Sequence, residues 1–142
     1  MPQVSLKSVR RKLPSLPLFL CALAAQLLVR LGIWVLPYRL WGGLLKPGAA
    51  VRRRLRAPKI APSRLAWSVA ASSRFVPRST CLVRALTAKL LLSGCGYPSE
   101  IRIGVAKAPG FQSHAWLEYQ GEVLIGGFQP QAYTALTAEV AP

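Results

Sequence analysis

The pattern of apolar and polar positions changes character along the chain, and each change predicts an element. Residues 13–37 are mostly apolar, interrupted by Gln26 and Arg30, and predict one long helix ending at Pro37. Pro37, Gly42, Gly43, Pro47 and Gly48 then punctuate the chain and break helices there. The stretch RLAWSVAASSR, Arg64 to Arg74, predicts a second helix. A third follows in CLVRALTAKLLLSG, with Ser79 or Thr80 as its N-cap and Gly94 or Gly96 as its stop. Its Leu82, Ala85, Leu86 and Leu90 are expected to anchor it in a core. From Glu100 the period falls to two. EIRIGVA (Glu100 to Ala106) reads as a half-buried strand, HAWLEY (His114 to Tyr119) as a second, and Glu122 to Ile125 as a third. Pro109-Gly110 and Gln120-Gly121 mark the turns between them. The expected architecture is α+β, with an N-terminal helical region over 1–75 and a helix-on-antiparallel-sheet core over 76–142.

With 142 residues, 52% of them hydrophobic, the chain can bury one core and is not a disordered polymer. Its charge is lopsided: 19 Lys and Arg oppose 4 acids, giving +15. The acids are Glu100, Glu118, Glu122 and Glu139; there is no Asp, and no acid precedes Glu100. Such a field favours anionic partners. A recognition helix rich in Lys and Arg with interleaved aromatics is absent, so nucleic acid is not an expected partner.

The charge also bears on the apolar stretch 13–37. A true membrane span would place Arg30 well inside, at about 2.5–3.5 kcal/mol. No clear small-residue cleavage site follows, as a secretory signal would require. A soluble-core or partner-binding helix ranks first. A membrane-surface helix ranks second, because Trp34, Tyr38 and Trp41 lie near Arg30 and Arg39 in an interfacial pattern. The expected location is the cytoplasm, with contact to a membrane surface through residues 13–37 as the open alternative.

Three cysteines, Cys21, Cys81 and Cys95, are too few and too irregularly spaced for a disulfide framework, and His114 is the sole histidine. They lack zinc-site spacing, so no metal or cofactor is expected. Cys21 reads as core and Cys95 as an inert thiol. Cys81 differs. It opens the predicted third helix, where unpaired N–H groups and the helix dipole favour a thiolate, and Arg78 and Arg84 add positive charge nearby. His114 opens a strand, and an imidazole there can face a helix start across a cleft. A thiol and an imidazole so placed form the reactive pair of cysteine hydrolases, with the Cys81 N–H as an oxyanion donor. Trp116 is placed to wall the site.

The stretch from Arg78 to Gly127 resembles the transglutaminase-like cysteine proteases of lasso peptide biosynthesis. The matching pieces are S-T-C-L-x-R-A-L at Ser79–Leu86, I-G-V at Ile103–Val105, H-A-W-L-E at His114–Glu118 and G-E-V at Gly121–Val123. The resemblance implies a papain-like core, Cys81 as nucleophile and His114 as acid–base. It implies removal of the leader from a precursor peptide, a leader-binding protein that is separate here, and an asparagine-synthetase-like cyclase acting afterwards. Related enzymes place an Asp on the strand after the histidine, and this chain has none. If Gln120-Gly121 closes a two-residue hairpin, Tyr119 pairs with Glu122 and His114 lies opposite Gly127. Gln129 then shares that face and can orient the imidazole; Glu122 needs another register; a backbone carbonyl or water is a further alternative. The missing Asp also admits a catalytically weakened scaffold that binds the precursor or the partner proteins.

Overall fold

The computed structural model describes residues 15–37, 39–40, 60–106, 110–126 and 134–136. Helix α1 spans Leu16–Val35 and turns extended at Leu36, just before Pro37. One stripe of it is buried: Leu18, Ala22, Gln26 and Val29, at the spacing of a single helix face. The two polar interruptions of the apolar run are both explained. Gln26 is wholly buried, and its amide donates to the Val69 carbonyl at 2.7 Å and to Ser72 Oγ at 2.6 Å. Arg30 donates to the Arg78 carbonyl at 3.1 Å.

Helix α2, Pro62–Ser72, begins earlier than Arg64 because Pro62 suits a first turn, whose N–H groups need no intrahelical acceptor. It tightens into a 3-10 turn over Ser73–Phe75. Helix α3 spans Cys81–Gly94, and Thr80 is its N-cap, with Oγ1 accepting from the Val83 N–H at 3.3 Å. Gly96 adopts φ +82°, and the N–H of Tyr97 returns to the Leu92 carbonyl at 2.9 Å, closing the C-terminus. The buried side of α3 comprises Val83, Ala85, Leu86, Thr87, Ala88 and Leu92. The expected anchor Leu82 is exposed and Leu90 is only half-buried, so the helix is rolled away from that reading.

Strands β1 (Glu100–Ala106), β2 (Gln112–Tyr119), β3 (Glu122–Ile125) and β4 (Thr134–Leu136) form one antiparallel sheet in the order β3-β2-β1-β4. The sheet therefore has a fourth strand, which the periodicity of three short residues was too brief to reveal. The Gln120-Gly121 hairpin closes as expected, with Tyr119 opposite Glu122 and positive φ at both turn residues.

The largest core cluster joins Leu18 and Ala22 of α1, Leu65, Ala66 and Val69 of α2, Ala88 and Leu92 of α3, Leu117 of β2 and Ile125 of β3. The helices before residue 75 thus share one core with α3 and the sheet. Cys21 is a correction: it is exposed rather than core, because it lies beside the stripe marked by Leu18 and Ala22 and not on it.

Candidate functional site

Cys81 is the first residue of α3 and is partly exposed. The loop that delivers it is held from several sides. Arg78 has a left-handed φ of 53°, its carbonyl accepts the Arg30 guanidinium, and Ser79 Oγ lies 3.4 Å from Gln26 Oε1. Arg84 folds back on the same loop, to Ser79 Oγ at 3.4 Å. Helix α1 therefore holds the loop before Cys81 through its two interior polar side chains, Gln26 and Arg30.

His114 is the third residue of β2 rather than the first, since the strand begins at Gln112. It pairs with Gly104 of β1 and is half-buried. Its Nε2 lies 2.8 Å from the Gly126 carbonyl oxygen. A carbonyl can only accept, so Nε2 carries the proton, and in the neutral ring Nδ1 is then the acceptor nitrogen. Such a tautomer is the one a base needs if Nδ1 is to take a thiol proton.

One group that meets the imidazole, at Nε2, is thus a backbone carbonyl. Gly126 can offer it because of two local facts. Its φ is +83°, a region that glycine enters without strain. A Cβ there would come within 2.8 Å of the Ala115 oxygen and 2.9 Å of Trp116 Cβ. Only glycine lets the chain pass this close to β2.

Of the two side chains considered as third members, Gln129 lies outside the described residues. Glu122 is excluded by register. It is exposed and pairs with Tyr119, five positions along β2 from His114, roughly 17 Å. The placement of His114 opposite Gly127 falls beyond the last described pair of β2 and β3. A β-bulge between Leu117 and Glu118 shifts the register, and β3 ends at Ile125. Gly127 itself lies outside the described residues.

Alternation along β2 puts His114, Trp116 and Glu118 on one face and Ala115, Leu117 and Tyr119 on the other. The imidazole and the Trp116 indole stack, with centroids 6.3 Å apart and planes inclined by 22°. Trp116 is buried, and its Nε1 donates to Glu118 Oε1 at 2.8 Å. Glu118 in turn pairs with Arg102 at 3.4 Å, and Arg102 with Glu100 at 3.1 Å. Glu118 therefore holds the Trp116 indole beside the imidazole.

The opposite face carries Leu117, which packs in one cluster with Ala88 and Leu92 of α3. His114 and Leu117 thus lie on opposite faces of β2. The hydrogen bond that holds the ring runs to Gly126 and not to Cys81. The other thiols have different settings. Burial pushes the Cys95 thiol above its ordinary range, with Cys21 adding to the shift, which suits an unreactive group. No cluster of three or more metal-ligating side chains occurs among the described residues.

Comparison with known proteins agrees with this architecture. The family model of the transglutaminase-like superfamily matches residues 22–138, from within α1 to beyond β4. No curated protein and no solved structure matches the chain. The superfamily includes cysteine peptidases, and cysteine-based catalysis is common in it. The match spans the helix that Cys81 opens, the strand that carries His114 and most of the helical region before them, and the chain belongs to the transglutaminase-like superfamily.

Proposed function

We propose that this chain is a cysteine peptidase that removes the leader from a lasso peptide precursor. The observation that carries the reading is the tautomer at His114. Its Nε2 is committed to the Gly126 carbonyl, which makes Nδ1 the basic nitrogen on a strand packed against the helix that Cys81 opens. The chemistry follows from these two groups. Cys81 Sγ attacks the carbonyl carbon of the scissile peptide while its proton passes to His114 Nδ1. The tetrahedral oxyanion is met by the Cys81 N–H, at a helix terminus where N–H groups have no intrahelical partner. His114 returns the proton to the leaving nitrogen, the C–N bond breaks, and a thioester remains. Water, deprotonated by the same Nδ1, then attacks the thioester; the acid product and the thiol are released.

In this reading the precursor peptide reaches the site with a separate leader-binding protein, and an asparagine-synthetase-like cyclase uses the amine that cleavage exposes. The supporting pieces are the S-T-C-L-x-R-A-L and H-A-W-L-E motifs with their order and spacing.

One observation favours a second reading, a weakened scaffold that binds the precursor. The group that meets His114 Nε2 is a neutral carbonyl, where the enzymes this chain resembles place an Asp. Incubating the precursor with this protein and its leader-binding partner separates the two. The peptidase reading expects leader and core fragments from the wild type and none from Cys81→Ala or His114→Ala, with both variants folded by circular dichroism. Uncleaved precursor that nevertheless co-purifies with the wild type would establish the scaffold instead.

A further inference from the structure

We infer that the outward face of α1 is a docking surface for an anionic phospholipid bilayer, on which the protein lies without crossing it. This inference is independent of the peptidase reading. Opposite the buried stripe, Leu20, Ala24, Leu27, Leu31 and Trp34 follow one another at alternating spacings of four and three, and all are exposed. Trp34 is 86% exposed and Leu28, beside the stripe, 69%. No charged or hydrogen-bonding side chain interrupts the stripe except the indole N–H of Trp34 at its end. The polar residues of α1, Gln26 and Arg30, are both turned to the protein. Exposed apolar surface of this continuity marks an interaction site.

The apolar surface continues past the start of the helix. Leu16 and Phe19 of α1, with Trp67, Ala71 and Phe75 opposite, line a groove of about 560 Å³. A single cation, Arg74, stands among its lining residues. Phe75 is itself exposed and meets the Phe19 ring edge-on at 5.7 Å. An apolar groove with one guanidinium fits an acyl chain and its phosphate.

Charge selects the occupant. The chain carries +15, and the 64 residues that contain α1 and its flanks hold 13 cations and no acid. Lys7, Arg10, Arg11 and Lys12 precede α1, and Arg39, Lys46, Arg52, Arg53, Arg54 and Arg56 follow it in sequence. Such flanks attract an anionic lipid surface and repel a second copy of the same chain. The helix is long and apolar enough to span a bilayer. It cannot do so in this fold, because Leu18, Ala22, Gln26 and Val29 are packed against the protein and the Gln26 amide is already bonded to α2. One face in the protein and one in the lipid boundary is the arrangement that leaves both satisfied.

The test uses the full chain and flotation with vesicles. Wild type is expected to float with phosphatidylcholine vesicles containing phosphatidylglycerol. With phosphatidylcholine alone, or at about 1 M salt, where the screening length is about 3 Å, it is expected to bind at least about tenfold more weakly. Leu27→Asp with Leu31→Asp, both at exposed positions, should lose binding while keeping the wild-type circular dichroism and unfolding midpoint. Arg74→Gln should weaken binding without abolishing it. Wild type that fails to float with anionic vesicles overturns the inference, and so does equal binding by the double Asp variant. A dimer in sedimentation that the same variant dissociates, without vesicle binding, would give the stripe to a second copy.

Discussion

At the scale of single residues, the site depends on an atom that no side-chain inventory contains. The Gly126 carbonyl holds His114 because the chain turns left-handed within reach of β2. Gly126→Ala must relieve a Cβ contact of 2.8 Å and adopt a strained φ, at a cost of order 1–3 kcal/mol. It is therefore expected to lower precursor cleavage by about tenfold or more. The ¹⁵N signals of His114 should report loss of the Nε2–H tautomer in the same variant; cleavage and tautomer both unchanged would refute the assignment. Glu122→Gln, at an exposed position opposite Tyr119, is expected to leave cleavage within about twofold of wild type. The thiols give a second residue-level prediction. With a small alkylating reagent near neutral pH, Cys81 should react fastest, exposed Cys21 next and Cys95 last. The Cys95 thiol titrates late because burial raises its pKa, so its labelling should climb only as the pH approaches the alkaline range. His114→Ala should slow Cys81 to the rate of Cys21; no change would break the link between sulfur and imidazole.

At the scale of elements, α1 acts as a brace for the loop before Cys81. Gln26→Leu removes two donated hydrogen bonds in a buried setting, where the Val69 carbonyl keeps the Ser72 hydroxyl and the Ser73 N–H as donors, and should cost about 1–3 kcal/mol in urea unfolding. Thr80→Ala removes the α3 cap and should cost about 1 kcal/mol by the same measurement. Much of this element layer was legible in the sequence. Glu100–Ala106, Glu122–Ile125, the Gln120-Gly121 turn and the Thr80 cap follow from period, turn chemistry and capping. What escaped depends on tertiary neighbours. The roll of α3 away from Leu82 is decided by α1 and α2 packing, which no local period encodes. The bulge at Leu117/Glu118 displaces the register by a residue, and the contact of His114 Nε2 with the Gly126 carbonyl depends on the path of the chain after β3. The role of Arg30 was legible only as a cost, since its acceptor lies 48 residues away.

At the scale of the whole molecule, one core unites α1, α2, α3 and two strands. Unfolding is expected to be a single cooperative transition, the same by tryptophan fluorescence and far-UV circular dichroism. Two separated transitions would instead divide the chain near residue 75. Leu117→Ala, at a wholly buried position in that shared core, should shift the single transition by about 2–5 kcal/mol.

Three of the four acids in the chain, Glu100, Glu118 and Glu122, gather at one end of the sheet, where β1 begins, β2 ends and β3 starts. Every cation before Arg64 belongs to sequence that contains no acid at all. At that end of the sheet Arg102 bridges Glu100 and Glu118, so the carboxylates there are partly neutralised within the sheet itself. Replacing Arg102 by Gln would leave three glutamates crowded at one rim, and the sheet should loosen there first as salt is lowered.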